Sequence, residues 1–121
     1  MSDYERVVFE SLRAYGVKPI PQLAIGPYNC DLACHPVAVE IFGGNRHFSG
    51  RHLARAEKRI RYLGNAGWHL LMLVISNACP WTSDTANHLI AYLNLADSDP
   101  SAPRQYRVID GCGELLAGGQ F

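Results

Sequence analysis

The chain lacks a long apolar run, a net charge and any CxxC pair. Its longest hydrophobic stretch, "LLMLVI" at 70–75, is far short of the ~20 residues that a membrane-spanning helix needs. No basic-then-apolar leader stands at the amino terminus, so a cytoplasmic location is expected. Eleven Lys and Arg residues balance eleven Asp and Glu residues. Attraction to an anionic partner must therefore come from local clustering. The four cysteines, Cys30, Cys34, Cys79 and Cys112, read most simply as reduced core thiols in that compartment. Zinc held by Cys30 and Cys34 with His35 is disfavoured. On an extended strand the two thiols stand ~13 Å apart at ~3.3 Å per residue, too far for one tetrahedral ion with Zn–S bonds of about 2.3 Å.

What is present is a globular composition, with 48% hydrophobic and 18% charged residues in 121. That is enough for one domain with a real core, 1–121, and not the composition of a disordered chain. Tyr4, Val8, Leu12 and Tyr15 recur at helical spacing, with Ser2 and Glu5 as a capping box and Gly16 as a stop. Three short strands then follow, "PQLAIG" (21–26), "YNCDLAC" (28–34) and "VAVEIF" (37–42), separated by "GP" and "HP" turns. A helix is expected over roughly 50–64. "WHLLMLVIS" (68–76) is apolar almost throughout, as in a central strand covered on both faces. A helix at 83–96 and a hairpin formed by "YRVI" and "ELLA" complete the order αβββαβα plus a C-terminal β-hairpin: an α/β fold, a mixed β-sheet flanked by helices.

Alternation puts Val37, Val39 and Ile41 on one face of the third strand and Ala38, Glu40 and Phe42 on the other. A carboxylate on a partly covered face is costly unless something pairs with it. On the preceding strand Asn29, Asp31 and Ala33 share a face, opposite Tyr28, Cys30, Leu32 and Cys34. A tight turn at 35–36 then brings residues 31 and 40 across from each other. Two carboxylates aimed at one point suit a hard divalent cation. Equally, Asp31 can cap or pair with an arginine while Glu40 sits at a wet edge. His47, in a Gly-rich loop, is either a proton carrier or a surface residue. Arg46, Arg51, Arg55, Lys58, Arg59 and Arg61 concentrate six of the eleven basic residues into sixteen positions. Arg51, Arg55 and Arg59 follow i, i+4, i+8 as one ridge. Such a run is either a solvated face or a seat for phosphates.

"PQLAIGPYNCDLACHPVAVEIFGGNRH" followed by "RAEKRIRYLGNAGW" resembles the very-short-patch repair endonucleases and the EDxHD homing endonucleases of the PD-(D/E)xK nuclease superfamily. The resemblance covers roughly residues 2–76. It implies a restriction-endonuclease-like core and a Mg²⁺- (or Mn²⁺-) dependent endonuclease acting on DNA. It implies Asp31 as the central metal-binding aspartate, Glu40 as the second strand carboxylate and His47 as the histidine after the turn. Glu5 matches the N-terminal glutamate, with the capping box as its other reading, and Glu10 is a weaker candidate on the same helix. The implied phosphate-binding residues are Arg46, Arg51, Arg55, Lys58 and Arg59. The pattern departs at Phe42, where the superfamily has a lysine, and at Ala56, where the last aspartate should stand. Glu57 is adjacent to that position but points about 100° around the helix. Two other readings stay open: a DNA-binding module with a decayed site, and a subunit of a larger assembly docked through the C-terminal hairpin. A homodimer is left open as well.

Overall fold

The computed structural model describes residues 1–43 and 50–120. His47 and Arg46 lie outside the described residues. Ten elements follow one another: α1 (Asp3–Ala14), β1 (Ile20–Ile25), β2 (Tyr28–Cys34), β3 (Val37–Gly43), α2 (Gly50–Arg55), α3 (Glu57–Asn65), β4 (His69–Ile75), α4 (Ser83–Ser98), β5 (Gln105–Asp110) and β6 (Leu115–Gln120). The six strands form one sheet in chain order. β1–β2, β2–β3 and β5–β6 are antiparallel, while β3–β4 and β4–β5 are parallel. This is the expected mixed sheet, with the terminal hairpin built into it rather than standing apart. Among the described residues no helix is long and apolar enough to cross a membrane.

The sheet is covered on both faces. Leu32, Val37, Val39, Leu71, Leu73 and Ile75 pack against Val8 and Leu12 of α1 and Leu89 and Leu93 of α4. Ala33, Ala38 and Leu70 pack with Cys30 against Ile60 and Leu63 of α3. β4, in the middle, is buried at every position except Met72, which is partly buried. Its continuous apolar run therefore feeds both layers, as a doubly covered strand must. α1 opens on half of the expected capping box: the Ser2 hydroxyl accepts the Glu5 N–H at 3.2 Å, while the Glu5 carboxylate turns to Gln22 instead.

Three expectations change. The helix expected over 50–64 is two helices: α2 ends at Arg55 and α3 starts after Ala56. Cys112 is exposed and Cys79 only half-buried, so neither is a core thiol. The faces of β2 do not alternate as expected either. Cys30 packs on the α3 side with Ala33, and the Tyr28 ring meets Tyr62 of α3 edge-on at 5.5 Å. Leu32 and Cys34 face the other way. Regular alternation is therefore lost between Cys30 and Asp31. The cause is a local break in pairing. The β2–β3 ladder stops at Leu32–Val39. On the other side the β1–β2 ladder pairs its neighbours but skips Gln22 opposite Asp31, and Gln22 takes a φ of 54°. Such an irregularity re-aims side chains, as a bulge does.

Candidate active-site cleft

The turn His35–Pro36 is tight, since Cys34 pairs with Val37. Beyond Leu32–Val39 the two strands part, and the Asp31 carboxylate fills the space between them. Its Oδ2 accepts the Ile41 N–H at 2.8 Å. A side chain thus replaces a ladder carbonyl, which fixes the carboxylate. Glu40 stands beside it and shares a hydrogen bond with Asp31. Ile41 packs into the α1/α4 layer, so its neighbour Glu40 is turned toward α3. Both acids line a cleft of 570 Å³ together with Tyr28, Asn29, Phe42, His52, Arg55, Ala56, Lys58, Arg59 and Met72.

Arg59 ties β2 to β3 across this cleft. Its Nη2 donates to the Asn29 carbonyl at 2.6 Å and also to Glu40 Oε1, forming an ion pair. The guanidinium lies 5.5 Å from the Tyr28 ring centroid. Burial and then the Asp31 carboxylate push the Glu40 carboxyl up to about 8, against the downward pull of Arg59. Two carboxylates this close to each other cannot both ionise cheaply, so the Glu40 carboxyl is held above the usual carboxylate range even with Arg59 beside it. The Arg59 Nε is buried and has no acceptor among the described residues.

The sequence candidates therefore separate into groups. Asp31 and Glu40 come together. Arg55 and Lys58 are exposed on the rim of their cleft. Arg59 is a correction: it is spent on Glu40 and Asn29 and does not stand free in a phosphate-facing ridge. Arg51 is exposed on α2, on the far side of the helix break from Arg59. Glu5 does not line the cleft. Its carboxylate accepts the Gln22 amide at 3.0 Å, and Gln22 in turn accepts from the Asn29 amide. A polar chain thus links Glu5 through Gln22 and Asn29 to Arg59. Glu10 is exposed on α1. Phe42 and Ala56 both line the cleft, the Phe42 ring meeting His52 edge-on at 4.9 Å.

His52 went unread in the sequence. Its only signal was its position in the first turn of a helix that follows the acidic strand. Two acidic side chains, an imidazole and three basic side chains thus line one cleft on the α3 side of the mixed sheet.

Among solved structures, the chain is similar to the "Homing Endonuclease I-Bth0305I Catalytic Domain", with 14% identity over 81% of this chain and 93% of that one and a TM-score of 0.49. No family model and no curated protein matches the chain.

Proposed function

We propose that the protein is a divalent-metal endonuclease acting on DNA, of the very-short-patch-repair-like, PD-(D/E)xK kind. The observation that carries this reading is the convergence of Asp31 and Glu40 where the β2–β3 ladder opens. The donor set fits the ion: two carboxylates on a solvent-open cleft are what Mg²⁺ takes, with water filling its remaining positions. Asp31 and Glu40 would hold it, and the ion, when bound, supplies polarisation of a phosphate oxygen and a more acidic water.

The other steps belong to the chain's own side chains. Arg55 and Lys58, on the rim, hold backbone phosphates and orient the strand across the cleft. The unpartnered Arg59 Nε offers a buried donor to an anionic oxygen. His52, which lines the cleft beside Phe42, is the imidazole assigned here to carry a proton, and His47 is its rival from outside the described residues. A bound cation would favour the ionised form of Glu40, whose carboxyl burial and Asp31 otherwise hold above the usual range.

A second reading has its own observation. Arg59 already neutralises Glu40, and Phe42 and Ala56 stand in the cleft where the resembled pattern has a lysine and an aspartate. This favours a DNA-binding module that has lost cutting. Plasmid nicking in Mg²⁺ or Mn²⁺ decides between them, comparing the parent with Asp31→Ala and Glu40→Gln. Cutting by the parent alone supports the nuclease. Equal cutting by all three removes the site. Salt-sensitive DNA binding without any cutting favours the decayed module.

A further inference from the structure

The loops after β4 and β5 carry a second constellation that the cleft does not use. Cys79 lies just beyond β4, Asp110 ends β5, and Cys112 sits in the turn between β5 and β6. One ligand atom from each of the three falls within 4.8 Å of the others. We propose that Cys79, Asp110 and Cys112 form a binding site for a thiolate-preferring divalent ion, zinc above all.

The donor set selects the ion. Two sulfurs and one carboxylate are too soft a set for Mg²⁺ and suit Zn²⁺ in tetrahedral coordination. Ligand atoms around a zinc with Zn–S bonds of about 2.3 Å stand ~3.7 Å apart, a spacing that the observed cluster reaches with small side-chain adjustments. Three protein ligands leave a fourth position for water. His88 of α4, whose ring lies against Gly113, lines the same shallow groove as Cys112, together with Asp84.

The site is also built rather than incidental. A Cβ on Gly111 would stand 2.0 Å from the Cys79 carbonyl oxygen, so the two loops touch through backbone. The Thr85 hydroxyl donates to the Gly111 carbonyl, tying the turn to α4. The Cys79 N–H donates to Ser76 Oγ at 3.1 Å, and its carbonyl accepts the Ser76 N–H at 3.1 Å. Asp110 Oδ1 accepts the N–H groups of Cys112 and Glu114, both at 2.9 Å. A ligating carboxylate held in this way is ordinary support around a metal.

A disulfide is the rival use of two adjacent thiols. Binding exchanges two thiol protons for one M²⁺, so uptake releases two protons per ion at a pH where both thiols are protonated.

The test is cobalt titration of the chelator-treated full chain under a non-thiol reductant. Expected are one equivalent of Co²⁺, a thiolate-to-cobalt charge-transfer band, displacement by Zn²⁺ and a zinc-dependent rise in Tm. Cys112→Ala changes an exposed turn residue and leaves the fold intact by circular dichroism. It should lower affinity about a hundredfold or more and remove much of the band. Cys34→Ala should change neither. The proposal is overturned by an unchanged band in Cys112→Ala, by no cobalt uptake at micromolar concentration, or by Cys79–Cys112 disulfide formation in the presence of stoichiometric zinc. Every readout is independent of DNA cutting, so this result and that of the nicking assay stand apart.

Discussion

The β2–β3 opening and the β4–β5 loops differ in both donor chemistry and construction. The first offers two side-chain carboxyl groups, one of them held above the usual carboxylate range, and an arginine. The second offers two sulfurs and one carboxylate. The first arises inside the sheet, where pairing stops and a side chain takes over a ladder hydrogen bond. The second arises beyond the sheet, where two loops meet through glycine backbone. A chain with no net charge thus keeps hard and soft donors in separate places, each with its own support. Ligand softness and charge, not overall composition, decide what each place can hold.

The sharpest way to break the comparison is Asp31→Asn. The amide oxygen still accepts the Ile41 N–H, so the fold survives, while the charge disappears. Nicking should fall about a hundredfold or more, with zinc uptake unchanged. Parent-like nicking would remove Asp31 from the chemistry.

Gly111→Ala should do the reverse. Forcing a methyl onto the Cys79 carbonyl should cost about 1–3 kcal/mol by chemical denaturation and weaken zinc uptake, leaving Mg²⁺-dependent nicking per folded molecule intact. A loss of nicking alone would mean that the two regions are coupled.

Glu40→Gln addresses the proton. The folded Glu40 carboxyl is raised from 4.5 to about 8, so between those values the folded state holds a proton that the unfolded chain has lost. Stability from this group is present at low pH and declines as pH rises toward about 8. Glu40→Gln should flatten that decline, gaining on the order of 1 kcal/mol over the parent above pH 8 when Tm is followed against pH. Mg²⁺ should flatten it in the parent only. Parallel pH profiles for the two proteins would contradict the assignment.

The smallest effect is expected at the rim. Arg55→Ala and Lys58→Ala should each reduce the slope of log affinity for DNA against log salt by about one, with Tm nearly unchanged. Unaltered slopes would take DNA off this face.

Much of the architecture could be read in advance. The alternation of Val37, Val39 and Ile41 against Ala38, Glu40 and Phe42 survives in β3, because β4 holds that strand in regular parallel pairing. The apolar run at 70–75 became the doubly covered central strand. β2 did not obey its own pattern, because its pairing fails at Asp31 and the failure depends on the β1 and β3 neighbours. The basic ridge likewise dissolved: α2 and α3 are separate helices, and Arg59 turns inward to Glu40. His52 carried too little signal to be chosen. Cys79 and Cys112, far apart in the chain and outside any CxxC spacing, meet only because β4 and β5 pair in parallel and release their loops at the same end.

Local sequence alone determined the strands and helices, the two-faced burial of the sheet and the clustering of acids ahead of bases, since periodicity and turn residues act over a few neighbours. Tertiary structure decided which acid is pushed above its usual range, which arginine pairs with it and which thiols lie together. Those outcomes depend on distances of a few ångströms between segments that only the finished sheet brings together.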